Sequence, residues 1–116
     1  PVQHTNQREP VMYSTFAPNE IPTEDGTYVN AGGKLARVES DLGFEVAWAS
    51  IPEGEPVTLS NAECIGVWHS EDGTVYLDRT VRVFGTLEAA LSIAEKFDQL
   101  AIWSWEEHKV IELIAA

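Results

Sequence analysis

His69 stands close to Glu71 and Asp72, and His108 follows Glu106 and Glu107. An imidazole beside two carboxylates can move a proton near neutral pH or hold a divalent metal. Both clusters lie in polar runs with turn character, Ser70-Glu71-Asp72-Gly73 and Glu106-Glu107-His108-Lys109. Such groups are ordinarily hydrated. They make one two-histidine, multi-carboxylate centre only if the fold brings the two turns together. Otherwise no catalytic residue, metal or cofactor is expected.

Arg79 and Arg82 are two of only seven basic residues. The favoured reading is salt bridging to neighbouring carboxylates, with an anion contact as the alternative. Cys64, the single cysteine, has apolar neighbours and reads as a small core residue rather than a nucleophile. Ser40, Ser50, Ser60 and Ser92 occupy no nucleophile elbow. Gly32-Gly33 lacks the lysine, hydroxyl and helix of a phosphate loop. The two Asp-Gly pairs lack the alternating oxygen ligands of a calcium loop.

The four tryptophans are Trp48, Trp68, Trp103 and Trp105. Trp48, Trp68 and one of the last pair are expected in the core. Trp103 and Trp105 lie two apart on a strand and so share a face. If one reaches the rim, Glu106 and Glu107 border it, and Trp103, Trp105, Glu106 and Glu107 become a protein-binding hot spot with an acidic margin. The alternative is that both tryptophans are core.

The elements that must position these groups centre on residues 74–113. The run TVYLDRTVRVF reads as a long strand, TLEAALSIAEKFDQL as a helix, AIWSW as a strand and KVIEL as its hairpin partner. Val75, Leu77, Val81 and Val83 share a face on which Arg79 intrudes, so a bulge or bend is expected near Asp78-Arg79. Thr86 is a suitable N-cap, and Glu88 suits the first turn. Leu87, Ala90, Leu91, Ala94 and Phe97 form the apolar face, with Glu88, Ser92, Glu95, Lys96 and Gln99 outward.

Upstream, residues 27–38 read as a hairpin turning at Ala31-Gly32-Gly33. Residues 43–51 alternate, with Phe44, Val46 and Trp48 against Glu45, Ala47 and Ala49. Residues 57–59 are briefly extended. Residues 62–69 are apolar on both faces, which predicts a central strand. Residues 1–26 hold four of the six prolines and read as an irregular arm, except that VMYSTF can add an edge strand. The expectation is one domain, with residues 27–116 as its folded core.

Nineteen acidic residues against seven basic ones give a net charge of −12. That balance argues against non-specific nucleic-acid binding and against anionic membrane surfaces. It favours solubility or a basic partner. No apolar run is long enough to cross a bilayer. The first residues lack a basic stretch followed by an apolar one, so a cytoplasmic location is expected.

Residues 68–113 resemble small acidic, uncharacterised proteins encoded by phages and prophages of actinobacteria. The likeness rests on Asp78 through Val83 leading into Leu87-Glu88-Ala89-Ala90-Leu91, and on Gln99 before Ala101-Ile102-Trp103. It implies an accessory protein of a mobile element and assigns no site residues. The fold expected is α+β: a mostly antiparallel sheet, open or barrel-like, with one helix packed on it and a C-terminal β-α-β-β unit. The function expected is non-catalytic binding of a basic, nucleic-acid-binding host protein, as an inhibitor or nucleic-acid mimic. The alternatives are a structural, homo-oligomeric accessory protein and a small enzyme using His69 or His108 with adjacent carboxylates.

Overall fold

A computed structural model describes residues 10–113. Nine strands and one α-helix follow in order: β1 (Tyr13–Phe16), β2 (Gly26–Asn30), β3 (Leu35–Val38), β4 (Phe44–Ser50), β5 (Val57–Ser60), β6 (Cys64–His69), β7 (Val75–Val83), α1 (Leu87–Lys96), β8 (Ala101–Ser104) and β9 (Lys109–Glu112). Seven strands make one sheet in the order β3-β2-β6-β7-β4-β8-β9, and β1 pairs with β5 in a separate ribbon. Every pairing is antiparallel. The protein is α+β, with a mostly antiparallel, curled half-barrel sheet and one helix packed on it.

Most of the expected elements form. The β2–β3 and β8–β9 hairpins are present. Strand β6 is central, between β2 and β7. VMYSTF supplies β1, which pairs with β5. Of the proline-rich stretch, residues 1–9 lie outside the described residues, as do residues 114–116.

The C-terminal unit holds one surprise. Strands β7 and β8 are joined by α1 but are not neighbours: β4 lies between them. They therefore run parallel, and the helix serves as their crossover. Thr86 caps α1 by accepting the Ala89 amide at 3.1 Å. Ala90 and Ala94 are fully buried against Val46 and Ile102. Alanine's lack of bulk lets the helix lie close on the sheet. Leu91 and Ile93 flank that contact. Leu87 and Phe97, expected on the buried face, are half exposed, because two alanines and their flanks already fill the narrow seam over β4 and β8.

The predicted irregularity occurs, but on the facing strand. Ala47 pairs with Thr80 and Ala49 with Arg79, so Trp48 is the extra residue and the bulge belongs to β4. Its consequence is a change of parity. Val46 and Ile51 would point to opposite faces of a regular strand. The bulge puts both on one face, Val46 in the cluster under α1 and Ile51 in the cluster under β1 and β5. Along β7, Val75 and Leu77 join the latter cluster and Val81 and Val83 the former. Arg79 falls at the join. It donates to Thr58 O at 3.0 Å, pairs with Glu63 Oε2 at 3.5 Å and lies over the Trp48 ring. The expected salt bridge of Arg79 is therefore made, in the gap between two core clusters.

Candidate functional site

One sheet face is covered by α1 and by the β1–β5 ribbon. The register puts Thr27, Gly66, Asp78, Thr80, Arg82, Glu45 and Trp103 on the other. Glu45 organises that face. Its carboxylate accepts from Thr27 Oγ1 and from Thr80 Oγ1, each at 2.7 Å. Strands β6 and β7 separate Thr27 from Glu45. Three inter-strand spacings on a flat sheet would be about 14 Å, well beyond a glutamate side chain. The sheet must therefore curl toward this face, which is the concave side of the half-barrel. Gly66 makes room: a Cβ there would lie 3.4 Å from Glu45 Oε2 and 3.3 Å from Thr80 Cγ2.

Glu45 is only 7% exposed. Burial raises its pKa; the hydroxyls of Thr27 and Thr80, the Trp105 indole and the more distant charge of Arg82 partly oppose the rise. The Trp105 N–H bears on the carboxyl without reaching hydrogen-bond geometry, and Trp105 Nε1 stays buried and unpartnered. Cys64 lies on the same face. Burial pushes its thiol up to about 11, helped by the charge of Glu45. That excludes a reactive thiolate at neutral pH and agrees with a structural cysteine.

Trp68 and Tyr76 lie opposite each other on β6 and β7. Their rings stack at 4.6 Å, 17° from parallel, and remain 48% and 41% exposed. Trp68 was expected in the core. It lies instead near the open end of the concave face, half exposed among the described residues. Asp78 stands beside it, half-buried; desolvation raises its pKa and the Trp68 side chain opposes this. Next along β6, His69 bonds Asp25 Oδ1 through both its backbone N, at 2.9 Å, and its ring Nδ1. This ties Asp25 to the end of β6, which leads into the turn carrying Glu71 and Asp72. Residues 10–33 and 51–78, which build this end, contain no lysine or arginine. The guanidinium of Arg37 lies over the Tyr28 ring and against Gly26.

The two histidine clusters do not meet. His69 takes Asp25, while His108 binds Asp41 at 2.9 Å in the β8–β9 turn. Among the described residues no three histidine, cysteine, aspartate or glutamate side chains gather as a metal site would require. Asp72 is engaged by Ser70 Oγ and by the Thr74 amide, which hold its carboxyl below the usual range. Of the last tryptophans, Trp105 is buried at 7% exposed and Trp103 is half-buried. The two meet edge to face at 6.1 Å, and each stands near His108. Glu106 and Glu107 are exposed beside them. The tryptophan with the largest free surface is Trp68. Its placement was half legible, since Trp68 and Tyr76 flank the predicted turn at Ser70-Gly73 on the two strands it joins. Glu45 could have been noticed as the lone charge within FEVAWAS.

No protein-family model, curated protein or solved structure matches this chain.

Proposed function

We propose that the protein is a non-catalytic binding protein, and that a basic partner docks on its Trp68–Tyr76 end. The observation that carries this reading is the stacked, half-exposed aromatic pair, with Asp25 bound to the adjoining His69 and Glu24, Glu71 and Asp72 close by in the chain. Tryptophan and tyrosine dominate binding hot spots because they bury much area at little entropic cost. A guanidinium or ammonium group can sit on such a ring face and meet the carboxylates around it. The net charge of −12 would steer such a partner from a distance. The chemistry suits the lysine- and arginine-rich surface of a nucleic-acid-binding protein. The resemblance of residues 68–113 to phage and prophage proteins supports an accessory role of this kind. Relative to Trp103 and Trp105, the proposed centre moves to Trp68 and Tyr76, because Trp105 is enclosed.

The test is capture from a host lysate at low and at moderate salt with the wild type, Trp68→Ala and Glu24→Gln/Glu71→Gln, read by mass spectrometry. The expected result is a basic protein that the wild type retains, that Trp68→Ala loses at every salt, and that the charge variant loses at lower salt than the wild type. A bound protein unaffected by Trp68→Ala, or no specific protein at all, would overturn the reading.

A further inference from the structure

A cavity of about 240 Å³ opens between β2, β3, β6 and the end of β7. Its walls are mostly apolar, Val29, Val38, Ala62, Cys64 and Phe84, with the polar Asn61 among them. Arg82 completes the lining. The guanidinium of Arg82 lies 4.7 Å above the Phe84 ring centroid. Its Nε is buried and has no hydrogen-bond partner. No carboxylate among the described residues comes within 4.0 Å of it, so the salt bridge expected of Arg82 is not made. Its cross-strand neighbour is Glu45, whose carboxylate is turned to Thr27 and Thr80 instead.

A partly desolvated cation with no carboxylate of the described residues in direct contact is costly. Here it lines a hollow with room for a ligand. We infer that this cavity binds a small organic monoanion, a carboxylate on an apolar body, with Arg82 pairing to the carboxylate and Val29, Val38 and Phe84 holding the body. The guanidinium fork through Nε suits a carboxylate's two oxygens. An engineered cavity of about 150 Å³ admits benzene, so this larger one has space for benzoate. The surrounding charge of −12 disfavours a dianion such as phosphate. The site is separate from the Trp68–Tyr76 end and does not depend on it.

The test is a ¹⁵N-NMR titration of the full chain with benzoate, its neutral isostere benzamide, and inorganic phosphate. The readouts are the Arg82 Nε–H resonance and the amides of Val38 and Cys64. Benzoate should shift all three saturably. Benzamide and phosphate should bind at least about tenfold more weakly, the scale of a lost charge-assisted hydrogen bond. Arg82→Met should abolish benzoate binding, and Arg82→Lys, which keeps the charge but not the fork, should weaken it. If Arg82→Met fails to fold, Phe84→Ala serves in its place and should weaken benzoate binding severalfold. Equal binding of benzoate and benzamide, shifts confined to other residues, or no saturable shift with benzoate would overturn the inference.

Discussion

Glu45 ties three strands together through one carboxyl group, and its protonation therefore matters to stability. Burial raises its folded-state pKa above that of the unfolded chain. The folded protein thus holds this proton more tightly. The resulting stability is complete below the unfolded pKa and is lost as pH rises through the folded one. Glu45→Gln keeps an acceptor for one threonine and a donor for the other. It should raise the melting temperature at pH 7 relative to wild type and lose that advantage in acid, as thermal melts across pH would show. A uniform change at all pH values would mean that the charge of Glu45 is not what differs. Gly66→Ala tests the same contact sterically. The added methyl would press on Thr80 Cγ2 and Glu45 Oε2, and overpacking of this kind costs about 1–3 kcal/mol, measurable by denaturant titration. Neither Glu45–Thr27 nor Glu45–Thr80 was legible beforehand, since the first crosses two intervening strands and the second joins neighbouring strands 35 residues apart in the chain, and neither leaves a local spacing in the sequence.

At the scale of elements, the best-read piece was α1. Its Thr86 cap and 3.6-residue pattern are local properties. Thr86→Ala removes the acceptor of the Ala89 amide and should cost about 1 kcal/mol, read as a lower denaturation midpoint with an unchanged slope. Gly43 is a harsher case. It sits at φ +76° where β4 begins, and a Cβ would come within 2.6 Å of Val83 O. Gly43→Ala should destabilise by more than Thr86→Ala in the same assay. The bulge shows the limit of reading one strand at a time. Arg79 among valines and leucines signalled broken register, but register belongs to a pair of strands. The extra residue resides at Trp48, where the large ring stands beside Phe97 and under the Arg79 guanidinium.

For the whole molecule, the balance lies between two core clusters and a large like charge. Leu59 and Ile65 are fully buried in the cluster beneath β1 and β5, and Leu59→Ala should cost about 2–5 kcal/mol. The −12 charge opposes compaction through self-repulsion. Screening at moderate ionic strength should therefore raise the melting temperature while weakening any complex at the Trp68–Tyr76 end. A melting temperature that falls with added sodium chloride would show that favourable ion pairs, such as Arg79–Glu63, outweigh the repulsion.

The sequence by itself determined what depends on neighbours a few residues apart. That covers the helix and its cap, the hairpins at Gly32-Gly33 and Ser70-Gly73, the central character of β6, the α+β class and the acidic balance. Only the tertiary structure decided which distant strands meet. It put β4 between β7 and β8, left Trp68 outside and Trp105 inside, kept His69 and His108 apart, and folded Glu45 across to Thr27. The physical reason is that strand order and curl are set by how two apolar clusters, α1 and the β1–β5 ribbon fill one face of the sheet together. That is a property of the whole chain, which no window of residues carries.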